Sequence, residues 1–327
     1  MKGILHMKDT RGSFLPSRSL DYFLQLTETM NYTQAAQILG ISQPALTQQI
    51  KKLEKSIGAP LFYSVGKKLH LSDAGYTMLD AIHQIYETVS QATDQIQRST
   101  EINQGRVNIG ILASIENDVF TDFAISYYKS HPDVEVSFHT LTRHELWKQL
   151  EDNRIDIGIM YLPDSSIKNW KPYVKKTIIR DELIYLGHDE QIAHKTRIDL
   201  KDVVDQSWVD YPQNYYLSNI INEQFRKAML NTPKSVAHFT QSRALYHFAK
   251  EAKVSTVLPA SCANAYNYGI DRMASAFFNP KIEFELSFVF RKGKERIPRI
   301  SNLLDEFDEY LVQKDYISRL TELNKME

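Results

Sequence analysis

Gln43, Thr47, Gln48, Lys51 and Lys55 fall on one face of a predicted helix, opposite an apolar stripe of Leu46, Ile50, Leu53 and Ile57. A glutamine amide can pair bidentately with adenine, and a threonine can hydrogen-bond a base or touch the thymine methyl. Lys51, with Lys67 and Lys68 further on, suits phosphates, which set position rather than sequence choice. Thr33 and Gln34 at the head of the preceding helix, and Ser42 and Pro44 at the head of this one, complete a candidate DNA-contacting set. The plain alternative is a solvated polar face, which any surface helix has. The elements that carry the face decide between the two.

Other chemistries leave no such mark. There is no Gly-x-Gly-x-x-Gly loop, no Gly-x-Ser-x-Gly turn and no histidine pair at ligand spacing. His139 and His144 read as a surface pair. The lone cysteine, Cys262, excludes an intramolecular disulfide, offers no cysteine pair for zinc, and reads as packing. No catalytic residue, metal or cofactor is therefore expected. An enzyme with an accessory DNA-binding domain becomes the weaker reading.

Among the elements that must support that face, Leu20, Phe23, Leu24 and Thr27 have helical spacing. Asn31 and Thr33 offer caps to a short second helix with Ala35, Ala36 and Leu39 inward. Gly40 supplies a turn, Ser42 caps the third helix, and Pro44 sits in its first turn. Two helices joined through Leu39-Gly40-Ile41-Ser42 match a helix-turn-helix. Leu61-Phe62 and Leu69-His70-Leu71 around Gly66-Lys67-Lys68 predict a hairpin with a basic tip. Gly75, Met78, Ile82, Ile85, Val89, Ala92 and Ile96 then alternate spacings of three and four, a seam that calls for a partner helix. Residues 1–72 hold nine Lys/Arg against four Asp/Glu although the whole chain has net charge −1, so only this piece suits a polyanion.

The remainder alternates strand and helix, with strands at 107–112, 134–140 and 155–161 and helices at 117–130 and 143–153. A second set follows to a closing helix at 301–313. Short apolar strands separated by helices predict parallel, doubly wound sheets. No stretch reaches the roughly 18 uninterrupted apolar residues of a membrane helix, and 1–16 carries no apolar leader, so a cytoplasmic protein is expected.

The stretch from Tyr32-Thr33-Gln34 through Ser42-Gln43-Pro44-Ala45-Leu46-Thr47 to Leu53-Glu54 closely resembles the LysR-type helix-turn-helix. Ile57-Gly58-Ala59-Pro60-Leu61-Phe62 and Leu71-Ser72-Asp73-Ala74-Gly75 continue the match, and Tyr127-Tyr128-Lys129-Ser130-His131-Pro132 and Ile155-Asp156-Ile157-Gly158 mark it further on. The resemblance implies an α/β regulator in three parts. These are a winged helix-turn-helix at 18–72 after a disordered 1–17, a linker and dimerisation helix at 73–104, and an effector domain at 105–315 like a periplasmic binding protein. Its two doubly wound subdomains would be 105–163 with 278–315, and 164–277, with crossings near 160–163 and 275–280 and a tail at 316–327. The dimerisation set would be Met78, Ile82, Ile85, Val89, Ala92 and Ile96.

By the same resemblance, a small-molecule effector sits between the subdomains. Ala113, Ser114 and Ile115, then Thr142 and Arg143, then Gln241 and Ser242 would line the cleft, since ligands gather at the carboxyl ends of parallel strands. Tyr161, Tyr211 and Tyr215 join them, although a tyrosine cluster is more often wall or interface. Ser114 could equally be a helix cap. Helix N-termini make a carboxylate one option for the effector, but Glu116 and Asp118 would oppose an anion unless they point away. The implied partners are promoter DNA, a second chain or three more, and RNA polymerase. Two departures stand out. Ser64 and Lys67 replace the usual wing arginines, and Ala252-Lys253-Val254-Ser255 replaces glycines. An architectural DNA binder without a sensor is the remaining alternative.

Overall fold

A computed structural model describes residues 17–66, 68–97, 104–164, 170–267 and 272–325. The stretch 1–16 and Lys67 lie outside the described residues. The chain divides into two compact units at 92/93.

The first unit starts with α1 (Ser17–Thr29), α2 (Tyr32–Ile38) and α3 (Gln43–Ile57). The Asn31 side chain accepts from the Thr33 and Gln34 amides, so α2 begins on an Asn cap and Thr33 is capped rather than capping. The Ser42 hydroxyl accepts from Ala45 N, and α3 ends on Gly58 at φ +84°, the left-handed conformation glycine adopts without cost. Leu46, Ile50 and Leu53 are buried with Phe23 and Leu26 of α1, but Ile57 is exposed because the helix runs past the core in its last turn.

The wing is β1 (Phe62–Val65) paired antiparallel with β2 (Lys68–Leu71). Then α4 (Asp73–Gln97) comes up against it at Gly75, where a Cβ would stand 2.2 Å from the Leu61 carbonyl oxygen. Ile82 of α4 is fully buried, Met78 and Tyr86 pack against the same core, and the Tyr86 hydroxyl donates to Asp21. The first half of α4 is thus a fourth helix of this unit. That corrects the expected seam: Ile82 and Met78 face their own chain, while Ile85, Val89 and Ile96 are 48%, 58% and 70% exposed.

The second unit is built on one mixed sheet. It contains β3 (Gly105–Leu112), α5 (Asp118–Ser130), β4 (Val134–Leu141), α6 (Arg143–Glu151), β5 (Ile157–Leu162) and the long β6 (Tyr173–Gly187). Next come α7 (Glu190–Ala193), β7 (Arg197–Asp199), β8 (Ser207–Asp210), α8 (Tyr216–Lys227), β9 (Lys234–His238) and α9 (Ser242–Ala252). They are followed by β10 (Thr256–Pro259), α10 (Ala260–Tyr266), β11 (Ala274–Asn279), β12 (Glu283–Arg291), α11 (Pro298–Gln313) and α12 (Tyr316–Lys325). The strand order is β4-β3-β5-β12-β6-β11-β7, with β10 also on β6 and with β8-β9 as a separate pair.

Among the described strands, parallel pairing joins β3 with β4 and β5, β7 with β11, and β8 with β9, and an isolated parallel bridge links Trp208 to Ser255. Elsewhere the sheet is antiparallel, because a chain that crosses out and back on continuous strands lays them in opposite directions. Residues 173–182 of β6 pair with β12, whereas 183–187 pair with β10 and β11. The outgoing crossover therefore lies within β6 rather than near 160–163, and the return lies between β11 and β12. The segment expected as a tail is largely α12, with Tyr316 and Leu320 buried. Tyr316, Leu320 and Leu323 carry a helical spacing that could have announced it. Among the described residues no helix is long and apolar enough to cross a membrane.

Candidate functional site

Gln43, Pro44, Gln48 and Lys51 are exposed on α3. The Gln43 amide donates to the Thr47 hydroxyl at 3.1 Å, and that hydroxyl donates to the Gln43 carbonyl oxygen at 3.0 Å. The two expected base readers thus hold one another in place. Ser42 is spent on its cap, and Thr33 and Gln34 stand exposed at the start of α2.

The wing is tied to α3 through Glu54, whose carboxylate accepts from the amides of Leu61 at 2.8 Å and Phe62 at 3.3 Å. Burial, with the Glu54 charge adding, pushes the Tyr32 phenol up to about 12. Lys68 is exposed on β2. Tyr63 and His70, which residue type alone did not single out, stack at 5.6 Å on the wing beside the exposed Val65.

In the second unit, Ser114, Tyr161, Tyr211 and Ser242 come together in the interior. The Tyr161 hydroxyl donates to the Ser114 carbonyl oxygen at 3.5 Å, and the Tyr211 and Ser242 hydroxyls pair at 2.7 Å. The Ser114 Oγ is buried and meets no hydrogen-bond partner among the protein atoms. It is not a helix cap, since α5 starts at Asp118 after Asn117. Ala113 donates its amide to Leu141, and Ile115 is core.

The other candidates have local duties. Thr142 forms a capping box with Glu145 at the head of α6, and Arg143 faces the buried Asp164 at 3.7 Å. Asp164 also accepts from the Trp147 indole at 2.8 Å. Gln241 is exposed at the head of α9. Tyr215 precedes α8 half-buried, and it is Tyr216 that stacks on Tyr161 at 5.7 Å. Lys253 takes φ +56° at the end of α9 where a glycine would relax, and Ser255 bonds the Tyr185 hydroxyl at 2.7 Å, so this departure is absorbed into packing.

Several residues of the site were not legible from residue type. Glu116 accepts from the Arg243 amide at the N-terminus of α9, at 3.3 Å. Asp181 accepts from the Ser261 hydroxyl at 2.6 Å and the Ser261 amide at 3.3 Å, at the N-terminus of α10. Burial raises both carboxyls above their usual range, partly offset by these bonds. Burial also pushes the Cys262 thiol well up, with Glu116 adding, so the thiolate that reactive cysteine chemistry requires is suppressed. Alongside, Leu162, Pro163, Trp170, Tyr173, Phe284 and Ile317 line part of a cavity of about 900 Å³.

Comparison with known proteins identifies both units. A family model for the bacterial regulatory helix-turn-helix of the lysR family matches residues 17–76, and one for the LysR substrate binding domain matches 101–311. The uncharacterized HTH-type transcriptional regulator YybE of Bacillus subtilis is 26% identical over 64% of this chain and 70% of its own length. The regulator AlsR of the same organism is 22% identical over 77% and 83%. Among solved structures, a hydrogen-peroxide-bound mutant of Corynebacterium glutamicum OxyR has a TM-score of 0.56 at 17% identity, covering 95% of each chain. Full-length BenM has 0.52 at 19% identity, covering 90% of this chain and 97% of its own. At those identities the structures testify to fold alone, and the two family matches carry the conclusion. The chain belongs to the LysR family of DNA-binding transcriptional regulators, with an effector-binding domain and no enzymatic role.

Proposed function

We propose that this regulator acts in the cytoplasm as a dimer or tetramer, reads promoter DNA through Gln43, Thr47 and Gln48 of α3, and holds phosphates through Lys51, Lys68 and Lys67. A small molecule bound between the halves of the second unit changes the arrangement of the chains and so the access of RNA polymerase. The observation that carries the sensor reading is Ser114. Its hydroxyl is buried without a protein partner, just beyond the carboxyl end of β3, where α/β folds gather ligands. The exposed apolar side chains Ile85, Val89, Ala92 and Ile96 support pairing through the second half of α4.

An effector changes output only by preferring one arrangement; tight binding alone shifts nothing. The test is a Ser114→Ala chain assayed for operator binding and for promoter response to metabolites that raise the wild-type melting temperature. Operator binding should persist and the response should weaken. An unchanged dose response would move the site away from Ser114.

A further inference from the structure

We infer that Tyr316 stands where an effector ring would stand, and that the effector is an uncharged, hydroxylated aromatic molecule that displaces it. This rests on the reading of the cleft as the effector site. The helix that carries Tyr316, α12, lies beyond residue 311, where the family match ends. It packs against α10 in one half and α5 in the other. Its start is pinned by Arg319, whose guanidinium lies 3.4 Å from the Tyr310 ring centroid and donates to the Lys314 carbonyl oxygen at 2.9 Å. Its end is pinned by Asn324, which donates to Asp118 at 3.3 Å.

At the first position of this helix the Tyr316 ring is 3% exposed and 5.9 Å from Phe120, within electrostatic reach of Cys262, Glu116 and Asp181. Those neighbours come from both halves of the unit. The slot therefore already accommodates one phenol.

The ligand class follows from what else is taken. A ligand anion would seek backbone amides such as those of Arg243 and Ser261. The chain fills both positions with its own carboxylates, Glu116 on Arg243 N and Asp181 on Ser261 N and Oγ. An added carboxylate would meet these acids at close range in a desolvated interior, which opposes it. A neutral ring with a hydroxyl brings no charge for these acids to oppose and can pack on Phe120 as the Tyr316 ring does.

The experiment uses the full chain, with p-cresol as the probe and benzoate as the anionic comparator. Truncating Tyr316 to Ala leaves a ring-sized gap, and apolar gaps of this kind take up small aromatics. p-Cresol should bind Tyr316→Ala at least tenfold more tightly than Tyr316→Phe or wild type by calorimetry, and benzoate should not. Without probe, Tyr316→Ala should differ from wild type at least threefold in operator affinity, with p-cresol restoring it. In wild type, where no folding defect intervenes, saturating p-cresol should speed amide exchange of 316–325 at least threefold. Equal p-cresol binding in the three chains, preferential benzoate binding, unaltered operator affinity or unchanged exchange in α12 would each overturn the inference. A wild-type response to some other molecule through Ser114, alongside those failures, would remove this proposal and leave the cleft reading standing.

Discussion

The Glu116 carboxylate accepts a hydrogen bond from the Arg243 amide at 3.3 Å, joining residues 127 apart in sequence and the two halves of the second unit. A carboxyl from the connection between β3 and α5 thereby does for α9 what a bound anion would do. Its burial lifts its proton affinity, and Asp181 at α10 is lifted by the same cause.

Those two shifts set a pH dependence. A carboxyl whose folded pKa lies above its unfolded value contributes stability that is fully present below the unfolded value and is lost as pH rises through the folded one. The second unit should therefore lose stability as pH climbs from about the ordinary glutamate value of 4.5. Glu116→Gln keeps an acceptor for Arg243 and removes the titration. Its melting temperature should fall less than that of wild type between about pH 5 and pH 8. Parallel curves for the two chains would contradict the assignment.

Asp156 and Lys294 form a buried ion pair at 2.8 Å, and Asp156 also accepts from the Asn108 amide at 2.9 Å, tying β5 to β3. Removing one partner of such a pair strands the other charge. Lys294→Met should destabilise the second unit by about 3–5 kcal/mol, read by denaturant unfolding followed in that unit. A loss under about 1 kcal/mol would mean the pair is solvated in solution.

The two halves of α4 should respond differently to substitution. Ile82→Ala empties core of the first unit and should cost about 2–5 kcal/mol with loss of operator binding. The double change Ile85→Lys, Val89→Lys should leave the melting of that unit nearly unchanged while sedimentation shows dissociated chains. Intact oligomers in the double variant would place the principal interface elsewhere.

On α3, Gln43→Ala and Thr47→Ala should each lower discrimination between operator and random DNA, by about 1–3 kcal/mol where the side chain makes a good bidentate base contact. Because the two side chains share hydrogen bonds, the double change should cost less than the sum of the single ones. Lys51→Ala should instead weaken all sequences alike and flatten the salt dependence by about one unit of slope. Equal weakening of operator and random DNA by Gln43→Ala would remove it as a base reader.

The sequence by itself determined the first unit almost completely. Its signals are local: the Ser42 cap, Pro44 in the first turn, Gly58 beyond the last, and Leu46, Ile50 and Leu53 one or two turns apart. Such signals act within a few residues, so spacing alone displays them. It also determined that strands and helices alternate after residue 104, and that Ser114 follows the first strand of that series.

Only the tertiary structure decided which half of α4 faces its own core, because Ile82 and Ile85 are the same residue type on one continuous seam. Burial of Ile82 depends on helices folded from 17–57. The mixed sheet was equally hidden, since strand direction is set by where the chain returns and not by which side chains a strand carries. The cleft shows the same limit most clearly. Glu116, Asp181, Cys262 and Tyr316 come from four distant stretches, and nothing in their spacing announces that they meet. Burial in one shared interior gives them their chemistry, and burial is a property of the assembled unit.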